Sequence, residues 1–145
     1  MDRRGRWRDN WRVVSPSSAV LVKLGRSRAA SARARAQVAG LAAGTPVVLL
    51  SSAPAAGRRC RSFASEAGVR LEREYLAFPS AAMPGYLVED DAAPVRAFTR
   101  SLLIAPPRVP LAVAVEAGVA ILRAVGPPRL VSALAPGRVA VGWRS

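Results

Sequence analysis

The chain predicts a doubly wound α/β domain, and three observations carry that expectation. Apolar runs recur at Ala19–Leu24, Thr45–Leu50 and Val69–Phe78. The first two end in a Gly or Ser turn, and each is followed by an Ala/Arg-rich stretch with helical spacing. With 145 residues and 51% hydrophobic content, the chain is long and apolar enough to bury one core, which excludes a wholly disordered protein. Strand–helix–strand–helix–strand is the order in which parallel strands and their crossover helices are laid down. The expected organisation is a basic arm over residues 1–18 and a single domain over 19–145, three-layered, with a mainly parallel sheet, small or truncated. Domains of this kind hold ligands at the carboxyl ends of their strands.

Each element has its own local cause. In residues 1–12, Trp7 and Trp11 are spaced i, i+4 and share one face if the arm is helical. Either the arm is a solvated tail, or its rings dock while Arg3, Arg4, Arg6, Arg8 and Arg12 meet nucleic acid or an anionic membrane surface. Gly25 ends the first strand and Ser27 is placed to cap a helix whose apolar positions are Ala30, Ala34, Val38 and Leu41, with Gly44 as its stop. Val47–Leu50 is a continuous apolar run, the signature of a strand covered on both faces.

Ser51-Ser52 then offers a cap, with Pro54 in the first turn of the next helix. That helix places Cys60, Phe63, Ala64 and Ala67 on one stripe and closes at Gly68, so Cys60 reads as core packing. The third strand, Val69–Phe78, is the most polar, which suits an edge or a pocket-lining end. A short strand follows at Tyr86–Val88, and Asp91 is placed to cap a helix containing Pro94, Val95, Phe98 and Leu102. A strongly apolar helix is expected over 110–125, for the core or for a protein partner, and a last strand over Arg138–Trp143 after the Pro136-Gly137 turn.

Charge and absences bound the chemistry. The net charge is +13, and Lys23 is the only lysine among 22 basic residues. Such Arg and Ala bias is what a GC-rich coding sequence produces, so the total charge is only partly a sign of function. Its distribution says more: residues 1–40 carry ten basic and two acidic side chains, a net of +8. The absence of His excludes Ser–His and Cys–His nucleophile pairs and the usual zinc sites, so no metal is expected. A single Cys forms no internal disulfide, consistent with a reducing cytoplasm. The best candidate for a membrane span, Val109–Leu122, is 14 residues long and contains Glu116, too short and too charged to cross. A cytoplasmic protein without a transmembrane segment is expected.

Two strand ends are candidate sites. Gly25, Arg26, Ser27 and Arg28 sit where backbone N–H groups and a helix amino terminus would meet a small anionic ligand, although an ordinary strand-to-helix turn uses the same residues. Ser51 and Ser52 stand where dinucleotide-binding domains place an acid for ribose hydroxyls; with Arg58 and Arg59 nearby, this corner suits a phosphate better than a bare ribose. Glu72-Arg73-Glu74 and Glu89-Asp90-Asp91 are the acidic clusters, and ion pairing with arginine is favoured over general-base work.

The run Val-Leu-Val-Lys-Leu-Gly at 20–25, the Ala/Arg helix, Val-Val-Leu-Leu at 47–50 and the segment from Cys60 to Gly68 resemble the first half of class I S-adenosylmethionine-dependent methyltransferases. The final Leu134–Val141 looks like that family's late Pro-Gly turn into a strand. The resemblance implies a Rossmann-like fold and S-adenosylmethionine as cofactor, with NADP(H) as the lesser alternative, over Gly25–Arg28 and Ser51–Ser52. The family's glycine-rich loop keeps one Gly here and its ribose-binding acid maps to Ser. A methyltransferase-like protein with a degenerate cofactor loop is therefore expected, against a non-catalytic interaction module or nucleic-acid binding through the arm.

Overall fold

The computed structural model describes residues 9–101 and 127–145, together with positions 117, 118, 120, 121 and 124. A 3-10 turn, Asn10–Val14, precedes β1 (Val20–Leu24), α1 (Arg28–Ala39), β2 (Pro46–Ser52), α2 (Ala56–Ala67), β3 (Val69–Phe78), β4 (Tyr86–Glu89), α3 (Ala92–Ser101), α4 (Pro128–Leu134) and β5 (Gly137–Arg144). Ser27 caps α1 by accepting from the Ala30 N–H at 3.1 Å. That helix stops at Gly40, earlier than expected, and Gly44, at φ +80°, instead shapes the turn into β2. Gly68 closes α2 in the left-handed region, φ 64°.

The strands form one sheet in the order β1-β2-β5-β3-β4. Only β1 and β2 pair in parallel, with Val22 beside Leu49 and Leu24 beside Ser51. β5 runs antiparallel to both β2 and β3, and β4 antiparallel to β3. The expected mainly parallel sheet is thus corrected to a mixed one. The cause is the last strand: β5 enters between β2 and β3 and separates two strands that point the same way. The carboxyl ends of β1, β2 and β3 still share one rim. β5 is buried from Gly137 to Gly142, as a central strand must be.

Strand alternation sorts the core into two faces. On one, Val22, Leu24, Val47, Leu49 and Ala140 pack against Ala34 and Val38 of α1 and Cys60, Phe63 and Ala64 of α2. On the same face, Leu76 and Val88 meet Val95 and Phe98 of α3 and Val131 of α4. Each fully buried Leu or Val contributes about 1.5–3 kcal/mol. The opposite face carries Val48, Leu50, Tyr75, Ala77, Val139 and Val141, with Trp11 packed on it. Among the described residues, all four helices therefore lie on one face, and the expected third layer is represented by the 3-10 turn alone. The expected helix over 110–125 lies outside the described residues except at the five positions named above, as do Trp7, Arg3, Arg4, Arg6 and Arg8.

Trp11 is 3% exposed, Arg12 stacks over its ring at 4.7 Å, and Asn10 Nδ2 donates to the Pro84 carbonyl at 2.6 Å. Residues 10–14 belong to the packed body and not to a free arm. Among the described residues no helix is long and apolar enough to cross a membrane.

Candidate functional site

Parallel pairing of β1 with β2 brings the two predicted corners to the same rim, with Leu24 registered on Ser51. Once there, their polar groups are used on each other. The Arg26 guanidinium donates to the Ala53 carbonyl, tying one corner to the other. Ser27 is occupied as the α1 cap, and Arg28 is the exposed first residue of that helix. Gly25 is close-packed: a Cβ there would lie 2.5 Å from the Ala30 Cβ.

Ser51 is buried, and its Oγ accepts from Arg59 Nη1 at 2.7 Å; the same guanidinium donates to the Ser52 carbonyl at 2.9 Å and the Pro54 carbonyl at 3.0 Å. Both serines are in β2, so neither caps α2, and Pro54 precedes that helix. The cap position is Ala55, left-handed at φ 57°, with no side-chain hydrogen bond. Arg59 supersedes the expected serine cap because a guanidinium satisfies three acceptors of the turn at once.

The cavity beside Gly25, about 430 Å³, does not bridge the corners. It follows the free edge of β1 past Lys23 and Arg33, and Gln37 Nε2 closes part of that edge by donating to the Leu21 carbonyl at 2.9 Å. An edge carrying Lys23 and capped by Gln37 is protected against strand addition.

A different cavity lies at the same rim as the predicted second corner. It measures about 280 Å³ and is lined by Arg58, Arg61, Arg129 and Arg138, with Gly57 and Ser132 between them. The first residues of α2, Ala55 and Ala56, complete it, where the helix has uncapped N–H groups. Arg138 is its floor. That side chain is 3% exposed and pairs with Glu74 at 2.8 Å and with Asp90, while Nη2 donates to Ser132 Oγ at 2.9 Å.

Arg61 reaches the same Glu74 at 2.9 Å. Two carboxylates thus face four guanidiniums, leaving a net positive cavity. Gly57 makes room for this arrangement: a Cβ there would stand 2.6 Å from Arg138 Nε.

The acidic clusters are largely committed to structure. Besides the Arg138 pairs, Glu72 accepts from the Trp143 indole at 2.9 Å, and Asp91 Oδ1 caps α3 at the Ala92 N–H at 2.5 Å. Among the described residues no group of three His, Cys, Asp or Glu side chains is placed to hold a metal ion. Cys60 is fully buried, and its thiol is pushed up to about 12, first by burial and then by the Glu74 charge. It is packing and not a nucleophile.

The sequence reading named Arg58 but missed Gly57, Arg129, Ser132 and Arg138. Nothing local in the sequence joins Arg138 to Glu74, 64 residues away. Comparison with known protein families, with curated proteins and with solved structures returns no match.

Proposed function

We propose that the chain is an α/β binding domain for a phosphate-bearing, nucleotide-type anion, seated between the amino end of α2 and α4. The observation that carries this reading is the cavity of about 280 Å³ whose walls hold Arg58, Arg61, Arg129 and Arg138. Guanidinium forks and helix N–H groups are the donors that phosphate oxygens take. The volume lies near the lower limit of ligand pockets, about 300–1,000 Å³, so it takes a phosphate and its neighbouring sugar and leaves the rest of a larger ligand on the surface.

The methyltransferase-like reading fits these residues less well. S-adenosylmethionine has a cationic sulfonium and no phosphate, while Ser51 Oγ, facing Arg59, leaves no carboxylate for ribose hydroxyls. Charge favours NADP(H) over S-adenosylmethionine.

Thermal unfolding in the presence of NADP(H), pyrophosphate or S-adenosylmethionine tests this directly. A ligand at a hundredfold excess over its Kd adds about 2.7 kcal/mol and raises Tm. NADP(H) or pyrophosphate is expected to do so, and Arg58→Ala to remove the shift. Equal stabilisation by S-adenosylmethionine, or a phosphate shift that survives Arg58→Ala, contradicts the reading. A second reading, docking of a protein partner, is favoured by Leu130 and Leu134, one turn apart on α4 and 43% and 63% exposed. Absence of any ligand shift together with a sedimenting mass that grows with concentration selects that reading instead.

A further inference from the structure

The opposite rim of the sheet, where β2 begins and β5 ends, holds a second and unrelated cavity. Its volume is about 460 Å³, and its walls are Ala43, Gly44, Arg70, Trp143, Arg144 and Ser145, with no acidic side chain among them. Three features give it a specific chemistry.

The first is a fixed aromatic ring. Glu72 is the extra residue of the β-bulge between Leu71 and Arg73, and a bulge re-aims the side chain it carries. Here Glu72 accepts from the Trp143 indole N–H at 2.9 Å, which holds the half-buried ring in place against the cavity.

The second is cationic. Arg70 is registered directly opposite Trp143 across the β3–β5 ladder, is exposed, and has no ion pair among the described residues. The third is an incomplete hydrogen-bond set. Arg144 Nη1 donates to the Gly68 carbonyl at 2.9 Å and to the Ser145 carbonyl at 3.0 Å, yet its Nε is buried without a partner. Such a group is costly to leave unsatisfied. The space over Gly44, at φ +80°, is open: nothing lies within 4 Å of where a Cβ would stand.

A pinned indole between two guanidiniums, with no carboxylate to repel an anion, matches a planar heteroaromatic ring joined to a phosphate. We propose that this cavity binds a nucleotide unit, its base stacked on Trp143 and its phosphate held by Arg70 and Arg144. The inference shares no residue with the arginine cavity at α2 and stands or falls separately from it. A free mononucleotide and one unit of a single-stranded polynucleotide offer the same chemistry.

Titration of the full chain with AMP and with a labelled single-stranded oligoadenylate, near physiological salt, separates the sources. Arg70→Glu is the test variant because the residue is exposed, and Arg58→Glu, in the other cavity, is the control; unchanged Tm shows that each folds. The expected result is that Arg70→Glu weakens binding at least about fivefold, as the loss of one charge-assisted contact requires. Arg58→Glu leaves it unaltered. AMP binding lost in this way identifies a mononucleotide site, whereas oligoadenylate binding alone, with the same loss, identifies a polynucleotide site. If neither probe binds, if Arg70→Glu costs less than about fivefold, or if Arg58→Glu costs as much, the inference is overturned, and any remaining oligonucleotide affinity belongs to another basic surface.

Discussion

Arg138 is surrounded by groups that have no other means of being neutralised. Glu74 and Asp90 are mostly buried on either side of it, with side-chain exposures of 18% and 20%. Arg138→Leu leaves both carboxylates in a low-dielectric pocket, so it is expected to cost about 3–5 kcal/mol in urea unfolding. The added variant Glu74→Gln should recover part of that loss.

Cys60 gives a prediction in pH. Its thiol is raised from 9.0 to about 12 in the folded protein, so below pH 9 both folded and unfolded states keep the proton and the full stability is present. Between pH 9 and 12 the unfolded chain ionises first, and stability is lost as pH rises through that window. Cys60→Ala should flatten this part of a pH–stability curve, at the expense of a small cavity. These two residues also show where reading the sequence succeeds. Cys60 declares itself by helical spacing within one element, as Ser27 and Gly68 do by cap chemistry. Arg138 is joined to Asp90 across 48 residues, and no local pattern encodes that partnership.

Local periodicity is sufficient to find β1, β2, α2 and β3 because each buries residues at the period of its own geometry. It is blind to neighbours. Val139 and Val141 announce a strand, but nothing in them states that it inserts between β2 and β3. The polar start of β3 was legible as an edge for a good reason: β4 pairs only with Tyr75 to Phe78, so the preceding residues have β5 on one side alone.

The 3-10 turn was harder to read, because a single buried ring carries it. Trp11 packs beside Val48, Leu50 and Val139, so Trp11→Ala is expected to cost about 3–5 kcal/mol. Circular dichroism melts will register this as a lower Tm, and an unchanged Tm would mean that the turn is not part of the cooperative unit.

Across the whole molecule, the candidate site was half legible. The shared rim followed from β1 and β2, and Arg58 from its place after β2. The other walls come from α4 and β5, far along the chain, and only the assembled sheet brings them there. The net charge of +13 keeps anions near every surface, so specificity must come from geometry: the packing of Gly57 on Arg138, and the pinned ring of Trp143.

The central place of β5 also has a kinetic meaning. Until residues 137–144 dock, the β1–β2 ladder and the β3–β4 ladder share no strand, and two apolar edges stand open to water and to other chains. Completion waits on contacts between segments remote in the chain, so folding is slow for a domain of this size, and the interval before closure is when aggregation competes.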